Sequence, residues 1–480
     1  MRALLSSLLI AFLRVVTRVF FRSVEVSGRD NIPEGPAIFV GNHPNSLLDP
    51  VLVTTTCHRA VRFAAKEVLF KNPVLRPILW LLGSVPIRRR QDQVEGARED
   101  AALPSDAPAR VDNSDAFTSL LAVLEEGGAF GIFPEGISHT RPELAPLKTG
   151  AARLALEAAA RGIPVKIVPV GLHYRRRDRM RSRVLVQYGA PLTLDDEAVA
   201  AWRADPQRAA KRLTAGIGLA LRAQTINATD FETLRVLEGV RRLYQPRHLN
   251  LTLAQQSEIL RRLIDGWERL QHDAEVRTFY QAVDAYLLQL RALGLADQEL
   301  RGDPPLLARL EHLARHVAFL LVLVPAAIPG ILVHLPVLVT AVAAGEGLTD
   351  RGDVRATIKV CAATLLTFGA YLAVAGAVLW QDPSLDGAAR AATTLLLLLL
   401  SGYATIRVLE RQGELRRGLT TFLALLHLDE ELARLAAERD RLRARLLDLV
   451  DQHLGPEVPR IIDRQEHDDV KAWLDAEDLD

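Results

Sequence analysis

The sequence has few cysteines and almost no net charge. Its 480 residues include two cysteines, Cys57 and Cys361, and their wide separation along the chain argues against a disulfide framework. We therefore expect a reducing, cytoplasmic setting for the globular part. Lysine and arginine total 59 and aspartate and glutamate total 58, so the net charge is +1. No overall field attracts nucleic acid, and we expect no nucleic acid partner.

Apolar residues, in contrast, are abundant. They make up 49% of the chain, and the mean hydropathy is +0.10 although 24% of the residues are charged. Such a composition indicates a mixture of globular and membrane-embedded parts, and the length predicts two or three units. We therefore expect an integral membrane protein that also carries a sizeable globular domain.

The N-terminal segment, residues 1–22, is predicted to form an interfacial amphipathic helix. Its apolar stretch Ala3–Leu13 is short for a membrane span and is followed by Arg14 and Arg18. A secretory signal peptide is the alternative, although the segment has no clear small-residue cleavage site.

Residues 23–225 are predicted to form an α/β domain, with a mostly parallel sheet flanked by helices. Short apolar runs such as Ala37–Val40 and Ala129–Phe133 alternate with helical patterns such as Asp115–Glu126, which is typical of βαβ units. The polar stretch 91–114 contains two prolines and is predicted to be a long surface loop.

The second half is predicted to be all-α, with a membrane region at 313–407. Its first apolar run, 317–344, contains three prolines, which argue against one straight helix. Basic residues flank both ends of this run, and the positive-inside rule then favours a re-entrant hairpin. The runs 360–380 and 391–406 would cross out and back. The alternative is that the first run crosses once, which gives three spans.

Two charged helical segments border this membrane region. Residues 226–312 are predicted to be a helical connector, and we assign no chemistry to it. Residues 408–480 are predicted to begin as a charged helix and to end in an acidic tail. With the hairpin topology, both globular ends would lie on the cytoplasmic side of the membrane.

The most informative stretch is Asn42–Pro50, which follows the apolar strand pattern Ala37–Gly41. It carries a histidine and an aspartate at the carboxyl end of a strand, where open α/β sheets place their chemistry. His43 and Asp49 cannot pair on a regular helix, but Pro44 favours a bent turn that would bring them together. A paired imidazole is a general base for a hydroxyl. The alternative is a surface histidine beside a helix-capping asparagine.

Five further residues are candidates for substrate binding. Glu135 and Gly136 follow a predicted strand, so a carboxylate and exposed backbone N–H groups would lie at the same sheet edge as the histidine. Ser138 and Lys148 come shortly after, and Lys148 is a candidate phosphate contact. Arg88 opens a run of three arginines, whose planar guanidinium groups match phosphate oxygens. The alternatives are an ordinary strand-to-loop turn and a solvated basic strand end.

Four of these stretches, in this order, resemble the motif blocks of the glycerolipid acyltransferase family, which makes lysophosphatidic and phosphatidic acid. The blocks are His43 to Asp49, Gly83–Arg88, Phe133–Ser138 and Ile167–Gly171. The similarity covers about residues 25–225. Five residues separate the motif histidine and aspartate, whereas four are common in the family. The longer spacing resembles the branch that includes fungal-type glycerol-3-phosphate acyltransferases.

The resemblance implies a membrane-bound acyltransferase in which His43 is the general base and Asp49 orients it. Arg88, Glu135 and Gly136 would bind the glycerol-phosphate acceptor. The acyl donor would be acyl-CoA or acyl carrier protein, with membrane lipids as further partners and with no cofactor or metal. The acceptor would be glycerol-3-phosphate or, alternatively, lysophosphatidic acid. An alternative of another class is a catalytically inactive, lipid-binding membrane scaffold.

Overall fold

The computed structural model describes residues 1–73, 75–88, 113–245, 250–295, 297–300, 306–427 and 429–454. Most of the predicted loop at 91–114 and the predicted acidic tail lie outside the described residues. The chain divides into two compact units. Unit 1 contains Met1–Asn227 and Leu332–Leu398, and unit 2 contains the remainder.

Unit 1 is built on an eight-stranded sheet in the order β1-β7-β6-β2-β5-β3-β4, with β8 beside β6. Strand β2 pairs in parallel with β5 and β6, β3 with β5 and β4, and β1 with β7, whereas β7 and β8 run antiparallel to β6. The predicted mostly parallel sheet is therefore confirmed. The strands are β1 Phe21–Ser27, β2 Ala37–Gly41, β3 Arg62–Lys66, β4 Val85–Ile87, β5 Ala129–Ile132, β6 Lys166–Tyr174, β7 Ser182–Tyr188 and β8 Leu192–Thr193.

Helices cover both faces of this sheet. All five residues of β2 are buried, as expected for a central strand with helices on both sides. Side chains alternate between the faces: Phe39 belongs to one apolar cluster, and Ile38 and Val40 belong to the other. The helices are α1 Arg2–Phe20, α2 Leu48–Thr56, α3 Leu75–Leu81, α4 Ser114–Glu125, α5 Gly150–Ala160, α6 Asp196–Ala204 and α7 Pro206–Arg222.

Helix α1 lies within the segment predicted to form an amphipathic helix. Several of its apolar side chains are exposed, including Leu4, Leu8 and Val15. Arg181 closes its C-terminal end, because its guanidinium donates hydrogen bonds to the carbonyl oxygens of Arg18, Val19 and Phe21 at 2.8, 3.0 and 3.0 Å. These bonds satisfy backbone acceptors that a helix end leaves unpaired.

The remaining helices are α8 Phe231–Tyr244, α9 Leu253–Leu270, α10 Ala274–Ala292, α11 Leu306–Gly347, α12 Gly352–Gln381, α13 Leu385–His427 and α14 Asp429–Leu454. The all-α second half is therefore confirmed. Four helical segments are long and apolar enough to cross a membrane: Arg2–Phe20, Ala314–Gly347, Gly352–Gln381 and Leu385–Gln412. The last two contain the predicted spans at 360–380 and 391–406.

The expected re-entrant hairpin at 317–344 is wrong, because α11 runs through all three of its prolines as one continuous helix. A hydroxyl group of α13 forms hydrogen bonds with backbone groups of α11 near Pro329. Ser401 accepts a hydrogen bond from the Gly330 N–H at 2.6 Å and donates one to the Ala326 carbonyl at 2.7 Å. Neighbouring hydroxyls commonly stabilise proline-containing membrane helices in this way.

Unit 2 includes a helical bundle formed by α8, α9, α10 and α14. Its helices begin with regular caps, such as the capping box of Thr252 and Gln255 at the start of α9. The fully buried Arg439 of α14 pairs with Asp297 at 2.9 Å, and Asp297 also accepts a hydrogen bond from Tyr286. This pair places a carboxylate beside the buried guanidinium within the bundle.

Candidate active site

The turn between β2 and α2 brings the predicted base and carboxylate together. Strand β2 ends at Gly41, and α2 begins at Leu48. Between them Ser46 has a φ of +49°, in the left-handed region. A residue other than glycine seldom adopts this conformation, and here it marks a tight turn. Asp49 therefore lies in the first turn of α2 and its Oδ2 is 2.8 Å from Nδ1 of His43. The bent turn expected after Pro44 is present.

Asp49 is completely buried and holds the imidazole in one orientation. Its Oδ2 also accepts the Asn45 N–H at 2.7 Å, and its Oδ1 accepts the Tyr174 hydroxyl at 2.6 Å. Burial raises the pKa of the Asp49 carboxyl, while the hydrogen bonds from His43, Tyr174 and Asn45 oppose that rise. Burial also raises the pKa of Tyr174 well above its ordinary value, so the phenol remains a donor.

The other ring nitrogen of the histidine is available for chemistry. The Nδ1 atom donates to Asp49, and Nε2 of His43 has no hydrogen-bond partner in the part of the chain that the structure describes. The imidazole stacks on the Phe133 ring, with centroids 4.1 Å apart and planes 5° apart. Gly41 permits this, since a Cβ there would lie 3.1 Å from the Phe133 ring. Nε2 is therefore an oriented, unpaired base.

A second histidine–carboxylate pair lies behind the first. Glu135 is 3% exposed, and its Oε1 accepts the backbone N–H of His43 at 2.9 Å. Its Oε2 accepts the Ala145 N–H at 2.8 Å and also bonds Nε2 of His139. The Nδ1 atom of His139 accepts the Arg141 N–H at 3.2 Å. Both nitrogens of this imidazole are occupied, and both Glu135 oxygens are bonded by the chain itself.

Ser138 also supports the turn that carries the base. Its hydroxyl oxygen accepts the Ser46 N–H at 3.0 Å, and the adjacent His139 N–H donates to the His43 carbonyl at 3.1 Å. Together with the hydrogen bond that Glu135 accepts from the His43 N–H, three hydrogen bonds therefore join the loop after β5 to the loop after β2. This arrangement fixes the position of the base from its backbone side.

The Lys148 ammonium lies against the backbone of Gly136 and makes the surface next to this loop cationic. Gly136 has φ of +70°, and a Cβ on it would lie 2.4 Å from the Lys148 Nζ. Only glycine lets the ammonium group approach the backbone so closely. The Lys148 N–H donates to the Pro134 carbonyl at 2.7 Å, which anchors the lysine to the turn. The pair offers positive charge where a phosphate would be favoured.

Arg88 is not in contact with the histidine–aspartate pair. It follows β4, which is three strands from β2 in the sheet, or about 14 Å at the usual strand spacing. Its side chain is exposed and pairs with Glu67 at 3.1 Å, and its backbone N–H donates to Asn113. The two arginines that follow it lie outside the described residues. The structure therefore brings together His43, Asp49, Glu135 and Ser138, but not Arg88.

Two parts of this chain match families of known proteins. Residues 23–173 match the family Acyltransferase, and residues 236–459 match the family Glycerol-3-phosphate acyltransferase 2 C-terminal domain. These two matches confirm the predicted resemblance to an acyltransferase family. The first match contains the paired histidine and aspartate, and the second begins inside α8 and extends past the described end of α14. The second match alone includes every helix from α8 to α14 in whole or in part.

Relatives of this chain are similar to it over different lengths. Glycerol-3-phosphate O-acyltransferase 2 of Saccharomyces cerevisiae is 26% identical over 451 residues, which covers 73% of this chain and 60% of the yeast protein. The 1-acyl-sn-glycerol-3-phosphate acyltransferase of Borreliella burgdorferi is 27% identical over 143 residues, covering 30% of this chain and 50% of that protein. The chain thus spans 60% or less of the length of these curated relatives.

A solved structure is also similar to part of this chain. It is the crystal structure of the 1-acyl-sn-glycerophosphate acyltransferase from Thermotoga maritima. It is 22% identical, with a TM-score of 0.30, and the match covers 45% of this chain and 81% of that one.

The sequence patterns did not indicate several residues that support the candidate site, notably Tyr174, Phe133 and His139. Asn42 does not cap a helix but pairs through its side chain with both backbone groups of Leu172, at 3.1 and 2.8 Å. One signal could have found Tyr174 and His139: each follows or ends a strand next to β2, and parallel neighbours end at one sheet edge. Among the described residues, no group of three His, Cys, Asp or Glu could hold a metal ion.

Proposed function

We propose that this chain is a membrane-bound acyltransferase of phospholipid biosynthesis. It transfers a fatty acyl group from acyl-CoA or acyl carrier protein to a hydroxyl of a glycerol-phosphate acceptor. The acceptor we favour is glycerol-3-phosphate, because the family match in the second half and the yeast relatives both carry that substrate in their names. The five-residue spacing between His43 and Asp49 agrees with this branch.

The observation that carries the proposal is the state of the His43 imidazole. Its Nδ1 is bonded to a fully buried aspartate, while its Nε2 has no hydrogen-bond partner among the described residues. An imidazole fixed in this tautomer has its basic lone pair on Nε2. It lies at the carboxyl edge of the central strand, where an acceptor hydroxyl can approach it.

The reaction is a direct transfer between two substrates. Nε2 of His43 removes the proton from the acceptor hydroxyl, and the alkoxide oxygen attacks the carbonyl carbon of the acyl thioester. The carbon–sulfur bond breaks, the thiolate leaves, and it takes the proton from the imidazolium. Asp49 stabilises the imidazolium during this sequence. General base catalysis of this kind contributes about 10²- to 10⁴-fold to a rate.

The acceptor phosphate is proposed to bind at Gly136 and Lys148. The lysine ammonium lies against the glycine turn, on the same loop that holds the base through Glu135 and Ser138. A phosphate fixed there restricts which hydroxyl reaches His43. Arg88 would contribute at longer range, or by leaving Glu67 when substrate binds. Glu135, which is buried, would act by positioning the turn.

The acyltransferase domain is proposed to lie on the cytoplasmic side of the membrane. Arg351, Arg355 and Lys359 concentrate positive charge at the start of α12, as cytoplasmic flanks do. The Lys359 Nζ donates to the Asp178 carbonyl at 3.2 Å and pairs with Glu346 at 2.6 Å. These contacts hold the basic end of α12 against the loop after β6, so the domain and this flank share one side.

A second acceptor, lysophosphatidic acid, is supported by the match to the Borreliella burgdorferi relative named for it. The experiment gives the purified protein radiolabelled acyl-CoA with each acceptor in detergent, beside the variant His43→Ala. We expect product mainly from glycerol-3-phosphate and a loss of about 10³-fold in the variant. Preference for lysophosphatidic acid would reverse the choice of acceptor. Equal product from both proteins would refute the base, and no product with either acceptor would favour the scaffold alternative.

A further inference from the structure

A cavity in unit 1 lies beside α3, β3 and β4, and none of the candidate site residues lines it. Gly83, Ser84 and Pro86 of the predicted motif block Gly83–Arg88 also line it. Its volume is about 630 Å³, and its lining includes Arg2 of α1, Arg76 and Trp80 of α3, Arg62 at the start of β3, and Phe70. Because Arg62 and Ile38 both pair with Phe130, the arginine lies level with the start of β2. That is three residues, or about 10 Å, before the last residue of β2.

Three arginines give this cavity an excess of positive charge. The Arg62 guanidinium is 3.5 Å from Glu126, and both side chains are about half exposed. The Arg2 guanidinium donates to the Trp80 carbonyl at 2.8 Å and lies 4.5 Å from the centre of the indole ring. Arg76 has no ion-pair partner in the described segments. One carboxylate therefore opposes three guanidinium groups, which favours an anionic occupant.

The surroundings of the cavity are apolar and exposed. Trp80 and Phe70 line it, and Trp80 is 54% exposed although its ring is large. Leu4 and Leu8 of α1 are 65% and 58% exposed, and α1 is long and apolar enough to enter a membrane. Tryptophan and arginine beside exposed leucines are typical of a protein surface at the lipid headgroup level.

We propose that this cavity binds the phosphate of an anionic phospholipid, at a site separate from the acyl-transfer site. The guanidinium groups of Arg76 and Arg62 would each take phosphate oxygens in bidentate fashion, and Arg2 would remain fixed on Trp80. The acyl chains would follow the exposed leucines of α1. A soluble phosphate has the charge but not the chains, so the apolar rim distinguishes a lipid from a free phosphate or a CoA phosphate.

The test measures lipid binding directly and does not depend on acyl transfer. Purified full-length protein in a non-ionic detergent is titrated with dihexanoyl phosphatidylglycerol by isothermal calorimetry, with dihexanoyl phosphatidylcholine, inorganic phosphate and CoA in parallel. The variants are Arg76→Gln and Arg2→Gln, and Arg208→Gln on α7 is the matched control, because Arg208 is exposed and does not line the cavity.

We expect saturable binding of one phosphatidylglycerol per chain and weaker binding of phosphatidylcholine. Arg76→Gln should weaken the binding of phosphatidylglycerol about tenfold, because the variant loses a charge-assisted hydrogen-bonded pair. Arg2→Gln should weaken it less, and Arg208→Gln should leave it unchanged. Arg76 has an exposed side chain, so its loss should not affect folding. Equal binding of both lipids, no effect of either cavity variant, or an Arg76→Gln loss for inorganic phosphate or CoA as large as that for the lipid would each overturn the proposal.

Discussion

Two histidine–carboxylate pairs lie side by side in this domain, and they differ in what their carboxylates do. In the turn after β2, the buried Asp49 bonds Nδ1 of His43, and Nε2 has no hydrogen-bond partner among the described residues. In the loop after β5, Glu135 bonds His139, but Arg141 bonds the other ring nitrogen. The first pair has a free basic atom and the second does not.

A histidine paired with a carboxylate is a candidate base only when its second ring nitrogen can reach a substrate. The second pair acts on the first through Glu135, whose other oxygen accepts the backbone N–H of His43 at 2.9 Å. One carboxylate therefore orients the imidazole and the other orients its backbone. We expect substitutions in the two pairs to affect different kinetic quantities.

The largest effect expected in this comparison comes from Asp49→Asn. An amide cannot stabilise the imidazolium, and it no longer fixes the tautomer with Nε2 as acceptor. We expect kcat to fall about 10³-fold, with the melting temperature changed by only a few degrees, measured by radiolabelled acyl transfer and by thermal unfolding. Asp195→Asn is the control, since Asp195 caps α6 by accepting the Ala198 N–H and asparagine caps equally well. A wild-type rate in Asp49→Asn would show that the pair is not a catalytic dyad.

An intermediate effect is expected from Glu135→Gln. The amide presents one acceptor oxygen where the buried carboxylate serves three donors, so the turn that carries His43 loses a partner. We expect kcat to fall about tenfold to a hundredfold, in line with a misplaced catalytic group, and KM for the acceptor to change little.

The rival outcome for Glu135→Gln is a large rise in KM with an unchanged kcat, which would make Glu135 a direct substrate contact. The variant His139→Gln tests the second pair at its histidine. Because both ring nitrogens of His139 are occupied, we expect a loss no greater than that of Glu135→Gln. A loss as large as that of His43→Ala would break the distinction between the two pairs.

The sheet and the first pair followed from local patterns in the sequence. Alternation of apolar runs and helical patterns predicted the parallel sheet, and the position of His43 directly after a buried strand predicted the sheet edge at which it lies. The proline-induced turn predicted that Asp49 returns to the imidazole. Each of these inferences depends on residues within one short segment.

The errors and omissions involve partners far away in the chain. The prolines of α11 did not break the helix, and near Pro329 Ser401 on α13 bonds the backbone of Ala326 and Gly330. The distance of Arg88 from His43 depends on the strand order, in which β4 is three strands from β2. Tyr174 reaches Asp49 from 125 residues along the chain. Period and spacing carry no information about such long-range contacts.

The smallest effect, and the finest test of the first pair, is expected from Tyr174→Phe. The phenol donates to Asp49 Oδ1 at 2.6 Å, and this bond opposes the burial that raises the pKa of Asp49. Its loss removes stabilisation from the charged carboxylate only, so the pKa of Asp49 must rise further. Protonation of Asp49 then begins at a higher pH, and the imidazole loses its partner there.

We therefore expect the acid limb of the kcat/KM profile of Tyr174→Phe to shift upward by about one pH unit, since a charge-assisted hydrogen bond is worth about that much. At pH values above the limb, the rate should fall only a few-fold. Tyr188→Phe is the matched control: Tyr188 is buried and bonded to Thr56 at 2.8 Å, but it does not touch Asp49. An unmoved acid limb in Tyr174→Phe, or an equal shift in Tyr188→Phe, would mean that the charge of Asp49 does not control the low-pH loss of activity.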